Sequence, residues 1–165
     1  MVIDTGFTKS SYTAHKVHAQ GNDTHARGHG TAVVHTLLYG GFTKEGKAIS
    51  PVCNDVEVYM CGNTSNFPKE VLTKCFTEAL NSGIKYMNLS MGGTGRFYPE
   101  EYELLKQLTE RGVNVVISAG NDRENLNEKT VYPQGYSLTL KNVKVIGAYD
   151  VRVTNYGWWV DIGYS

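Results

Sequence analysis

The sequence has no apolar run near the ~18 residues that a membrane-spanning helix needs. Its first residues, Met1-Val2-Ile3-Asp4, have neither the basic nor the long apolar stretch of a secretory signal. It also has no net charge, since 16 Lys and Arg balance 16 Asp and Glu. Without an overall field it has no means of holding a polyanion, so neither nucleic acid nor a membrane is expected as a partner. Cysteines are few: Cys53, Cys61 and Cys75 are an odd number without a Cys-x-x-Cys pair. That suits neither a zinc site, which wants four ligands, nor a secreted disulfide framework, which wants an even count. The expectation is therefore unpaired thiols and a cytoplasmic location. There is no internal repeat and no low-complexity segment. What remains is a globular composition, 41% hydrophobic and 19% charged over 165 residues, which suits one folded domain.

Short apolar runs alternate with amphipathic stretches. Val2-Ile3 reads as a strand that meets a turn at Asp4-Thr5-Gly6. A polar, His-rich segment follows from Thr8 to His29, then a helix over 30–39 with Ala32, Val33 and Leu37 on its buried side. Residues 40–47 read as a glycine-punctuated loop, and Val56, Val58 and Met60 alternate at strand period. Pro68 opens a helix whose Val71, Leu72, Cys75, Phe76, Ala79 and Leu80 share one face. A buried strand over 84–91 ends in Gly92-Gly93, and Pro99 opens a second helix with Tyr102, Leu105 and Leu108 inward. Strands follow over 113–119 and 143–148, with two short ones expected between 154 and 162. Alternation of this kind means crossover connections and a parallel sheet. Ligands bind such sheets at the carboxyl ends of the strands, which here carry Asp4, Gly92-Gly93 and Asn121.

Three segments point to chemistry. Asp4, directly after a buried strand, can accept backbone hydrogen bonds and orient an imidazole. His29 lies between glycines in Gly28-His29-Gly30-Thr31, open to close approach. Asn121, after Ser118-Ala119-Gly120, can donate to a developing oxyanion. Each alone is an ordinary turn residue. Together an Asp–His pair and an amide donor form most of the apparatus for acyl transfer by a serine.

In these blocks the chain resembles the subtilisin-like serine protease (subtilase) family. Val2-Ile3-Asp4-Thr5-Gly6 is similar to the block around that family's catalytic aspartate, and Gly28-His29-Gly30-Thr31 to its histidine block. Residues 87–93, Met-Asn-Leu-Ser-Met-Gly-Gly, resemble its substrate-lining strand, and residues 116–121 its oxyanion block. Tyr132-Pro133, Val145-Ile146-Gly147-Ala148 and Thr154-Asn155-Tyr156-Gly157 continue in family order. The resemblance implies an α/β, three-layer, parallel-sheet fold, truncated at its C-terminal side, as one incomplete peptidase domain over 1–165. It implies that Asp4 orients His29, that His29 is general base and then general acid, and that Asn121 donates to the oxyanion. Ser90, Met91 and Gly92 would pair with an extended peptide or protein substrate by β-addition. Ala119 and Gly120 would flank the specificity pocket, and Met91 would give it an apolar wall. No cofactor is implied. Residues 40–47 hold a single acidic residue, Glu45, too few oxygen ligands for the calcium many family members carry there.

The pattern breaks at the nucleophile. The family places its serine in a Gly-Thr-Ser-Met-Ala-like turn that opens a helix, and no such turn occurs in these residues. Ser90 and Ser118 belong to substrate-lining segments, and Ser165 falls where the family has a loop well before the nucleophile. The chain as written is therefore expected to be inactive. It reads as a piece of an active protease, as one piece of a protease completed by a second polypeptide, or as a natural pseudoprotease that binds a peptide or partner. Ala32 stands where the family often has a second histidine, and His35 reads as structural. Two weaker patterns compete. Gly41 to Lys47 has the spacing of a phosphate-binding loop but is followed by Ala48 and then Pro51 in place of Ser/Thr and a helix. His15, His18, His25 and His29 cluster without a companion Cys or Glu at ligand spacing.

Overall fold

A computed structural model of the chain describes all residues except 11, 12, 14, 15, 44, 52–54, 150, 151, 164 and 165. The contacts gather into two compact units, Met1–Pro68 and Lys69–Ser165.

In the first unit, strands β1 (Val2–Ile3), β2 (Val17–His18) and β5 (Val58–Cys61) form a parallel sheet with β5 in the middle. Val58 and Met60 point inward and Tyr59 outward, the period-2 alternation of the sequence. Helix α1 (His29–Tyr39) buries Gly30, Val34 and Leu38. This corrects the expected face: Ala32 is exposed, while Val33 and Leu37 only flank the core. The core proper is Val2, Phe7, Val17, Val34, Leu38, Val58 and Met60. Strand β2 lies inside the His-rich segment, where no strand was expected. Strand β3 (Gly41–Phe42) pairs antiparallel with β4 (Ala48–Ile49), so Lys47 is followed by a strand and not by the helix of a phosphate site.

In the second unit, β6 (Tyr86–Leu89), β7 (Asn114–Ser118), β8 (Val143–Ala148) and β9 (Asp161–Gly163) run parallel in chain order. Helices α2 (Lys69–Ser82) and α3 (Pro99–Glu110) pack on each other. α2 buries Leu72, Cys75, Phe76 and Ala79; each large apolar side chain so buried contributes roughly 1.5–3 kcal/mol. α3 buries Leu105 and Leu108 as expected, but also Glu101, while Tyr102 stays half-buried. The glutamate is accommodated because the buried Tyr136 hydroxyl donates to its Oε2 at 2.9 Å. Of the two short strands expected after 154, β9 forms, and Tyr156 makes an isolated bridge to Asn125.

Cys61 and Cys75 are both disulfide-bonded, which corrects the reading of unpaired thiols. Pairing depends on Cα separation in three dimensions, which cysteines without a close spacing do not announce. Cys53 lies outside the described residues. The thiol ground for a cytoplasmic location falls with that correction. Among the described residues no helix is long and apolar enough to cross a membrane.

Candidate active site

Asp4 follows β1 directly, and its backbone N–H continues the sheet by donating to Cys61 at 3.2 Å. Its side chain is 1% exposed. Asp4 Oδ1 accepts from the Thr5 N–H and from His29 Nδ1, each at 2.7 Å. The second contact is an Asp–His pair with one partner buried and the other, His29, 45% exposed. With Nδ1 donating to a carboxylate, the imidazole holds the tautomer whose Nε2 is free to accept a proton.

Local backbone makes that contact feasible. A Cβ on Gly30 would lie 2.2 Å from Gly6 O and 3.1 Å from Asp4 Oδ1, so only glycine lets the start of α1 approach the Asp4 turn. The Gly30 N–H donates to Thr5 Oγ1 at 2.9 Å. Thr5 Oγ1 in turn donates to Asp23 Oδ1 at 2.7 Å.

Asp23 is a residue that the sequence reading missed. Its Oδ1 also accepts from the His25 N–H at 3.0 Å, and its Oδ2 accepts from Thr31 N–H and Oγ1 at 2.8 and 2.7 Å. It thus does from outside the helix what a side-chain cap does, since the N-cap itself is Gly28. Partial burial pushes its carboxyl up, but the hydrogen bonds from Thr5, Thr31 and His25 outweigh that and hold it below its ordinary value. An acidic residue a few positions before a helix start was the available signal.

The second unit holds the other candidates. A cleft of about 320 Å³ opens at the carboxyl ends of β6, β7 and β8. Ser90, Ala119, Gly120 and Asn121 line it, with Asn88 and Thr154. Asn88 Nδ2 donates to Ser90 Oγ at 2.9 Å. Met91 is buried, 7% exposed, and does not line this cleft; Gly92 is exposed beyond it. The Met91 carbonyl accepts from Ser118 Oγ at 2.9 Å and from Gln134 Nε2 at 3.1 Å. Gln134, wholly buried, also donates to the Ser118 carbonyl at 2.9 Å, so one amide ties the ends of two strands together. Gln134 and Asn155, which binds the turn after β7, were not singled out from sequence, although Asn155 stands in a quoted block.

Among the described residues no group of three or more His, Cys, Asp or Glu is placed to hold a metal. His18 meets Glu57 and Tyr59, and the His25 ring meets that of His29 edge-on at 5.8 Å. His15 lies outside the described residues.

The chain is thus parallel α/β, with a buried aspartate paired to a histidine in its first unit and a strand-end cleft in its second. The family follows: the subtilase (peptidase S8) family model matches residues 2–160, and the chain belongs to that family. It is 27% identical to subtilisin-like protease 3 of Plasmodium falciparum over 74% of this chain and 17% of that protein. The fold is also that of a cold-adapted subtilisin-like serine proteinase (TM-score 0.72, 17% identity, 98% of this chain and 60% of that one). It matches the prenylagaramide maturation protease PagA with a TM-score of 0.63 at 20% identity, over 82% of this chain and 51% of that one. The chain thus spans between a sixth and three-fifths of the length of these relatives.

Proposed function

We propose that these residues are part of a single subtilisin-like serine endopeptidase domain, and that the nucleophilic serine comes from a segment outside them. The observation that carries this reading is the 2.7 Å contact between His29 Nδ1 and the buried Asp4 carboxylate. His29 Nε2 takes the proton of the serine hydroxyl as its oxygen attacks the peptide carbonyl, and returns it to the leaving amine. Asp4 fixes the ring and stabilises the imidazolium. Asn121 donates to the oxyanion of the tetrahedral intermediate. An extended peptide lies along Ser90, Met91 and Gly92, with its side chain between those residues and Ala119-Gly120; recognition is through backbone pairing. Without the serine of the nucleophile turn these residues have no turnover of their own, and the segment that carries it belongs to the same polypeptide or to a second one.

The test is fluorophosphonate labelling of the protein from its natural source, read by intact mass. An adduct on a species heavier than 18.3 kDa supports the reading. A soluble 18.3 kDa species that takes no adduct overturns it.

One observation favours a second reading, a pseudoprotease that binds an extended peptide or a partner without cleaving it. The strand-end cleft is lined and open while the sequence holds no nucleophile turn. That unlabelled species, binding peptide at the cleft, supports this alternative.

A further inference from the structure

Asn155 makes an unusual set of contacts. Its side chain is buried, 2% exposed, and every polar group it carries is used on the turn after β7. Asn155 Nδ2 donates to the Ala119 carbonyl at 2.9 Å. Asn155 Oδ1 accepts from the Asp122 and Glu124 N–H groups, both at 2.9 Å. Its backbone N–H donates to the Gly120 carbonyl at 2.8 Å. The contacts fall on residues 119, 120, 122 and 124, on both sides of Asn121. Two backbone donors face one amide atom, which fixes that atom as oxygen and the other as the N–H donor. Asn155 is itself held: Thr154 Oγ1 accepts from the Ala148 N–H at 3.0 Å and donates to the Asn155 carbonyl at 3.1 Å. Gly120, at φ +96°, completes the fit, because a Cβ there would lie 2.7 Å from Asn155 Nδ2.

We propose that Asn155 is the positioning residue for Asn121, clamping its turn from both sides so that the Asn121 amide is set before an oxyanion forms. The inference rests on the proposed role of Asn121. A preorganised donor stabilises developing charge without reorganising during the reaction, so a loose turn lowers kcat and leaves KM unchanged. No other short side chain offers a donor and a two-bond acceptor in one plane. Aspartate keeps the acceptor but loses the donor, and alanine loses both.

Two readouts test this. In Asn155→Ala, amide hydrogen exchange at Asp122 and Glu124 becomes about tenfold faster or more, while Leu89 and Val145 keep their protection. Unchanged exchange at Asp122 and Glu124 overturns the clamp, whatever the protein's activity. If Asn155→Ala does not fold, Asn155→Asp takes its place. It keeps Asp122 and Glu124 protected but lowers kcat in the complete protease, and a kcat equal to the parent's overturns the proposal.

A double-mutant cycle in the complete protease gives the second readout. Asn121→Ala lowers kcat about 10²–10³-fold, the size oxyanion donors carry in well-characterised serine proteases. Asn155→Ala lowers kcat in the parent and adds nothing in the Asn121→Ala background. An equal fall in both backgrounds is the mark of general destabilisation and overturns the positioning role. An Asn121→Ala variant with undiminished kcat sinks the oxyanion reading instead, and the exchange result then judges the clamp alone.

Discussion

Three carboxylates in this protein show how surroundings decide a role. Asp4 accepts from a backbone amide and an imidazole, and its geometry is that of an orienting group. In the complete protease Asp4→Asn is expected to cost about 10⁴-fold in kcat with little change in fold, because an amide favours the wrong tautomer of His29. A loss below tenfold would remove Asp4 from the mechanism. Asp23 is structural: four hydrogen bonds converge on it, so Asp23→Ala should cost about 2–3 kcal/mol in denaturant unfolding at pH 7. Its folded pKa lies below the unfolded one, so its contribution is complete above the unfolded value and vanishes as pH falls through the folded one. The wild-type and Asp23→Ala stabilities should therefore converge in strong acid. Glu101 has the opposite sign. Burial raises its pKa, although the Tyr136 hydrogen bond opposes this. The folded state then holds the proton more tightly, and stability falls as pH rises from the unfolded pKa through the folded one. Glu101→Gln keeps an acceptor for Tyr136 and loses the desolvated charge. It should match the parent near pH 4 and exceed it at pH 7. Equal unfolding midpoints at both pH values would show that the burial cost is absent.

At the scale of elements, the legible parts were those with one dominant signal. Pro68 and Pro99 mark the openings of α2 and α3, and the apolar runs of β6, β7 and β8 announce buried parallel strands. Helix α1 was legible as a helix but not in its facing. Val33-Val34 and Leu37-Leu38 are adjacent apolar pairs, so two faces about 100° apart fit the pattern equally. The choice between them is made by Gly30, which must meet Gly6 and so turns Val34 and Leu38 inward. That contact joins residues distant in sequence, and no periodicity encodes it. The same holds for the site. Asp4, His29 and Asn121 stand out as reactive types in distinctive blocks, whereas Asp23, Gln134 and Asn155 act mostly through partners distant in sequence, up to 43 residues away. Gly30→Ala tests the joint directly. A Cβ 2.2 Å from a backbone oxygen forces α1 away from the Asp4 turn, at about 1–3 kcal/mol. The downfield His29 Nδ1 proton resonance should disappear with it. If that resonance persists, the helix start has room that the geometry denies.

At the scale of the whole molecule, the chain spans only part of its relatives' length. The buried core segments specify the subtilisin-like fold, while the turnover proposed above draws its serine from outside these residues. Binding and cleavage are therefore separable here, and a single titration separates them. The isolated 165-residue chain, mixed with an extended peptide bearing apolar side chains, should shift the amide resonances of residues 88–93 and 117–121. Those segments form the strand ends around the cleft, and backbone pairing acts on their N–H and C=O groups. The peptide itself should remain intact. Hydrolysis by this chain would mean that one of its own serines serves as nucleophile and would overturn the assignment of a missing segment. Intact peptide with no shift in either segment would mean that the groove is not formed without the rest of the protease. The peptide would then have to be presented to the complete protein, where shifts confined to other surfaces would remove Ser90, Ala119 and Gly120 from substrate recognition.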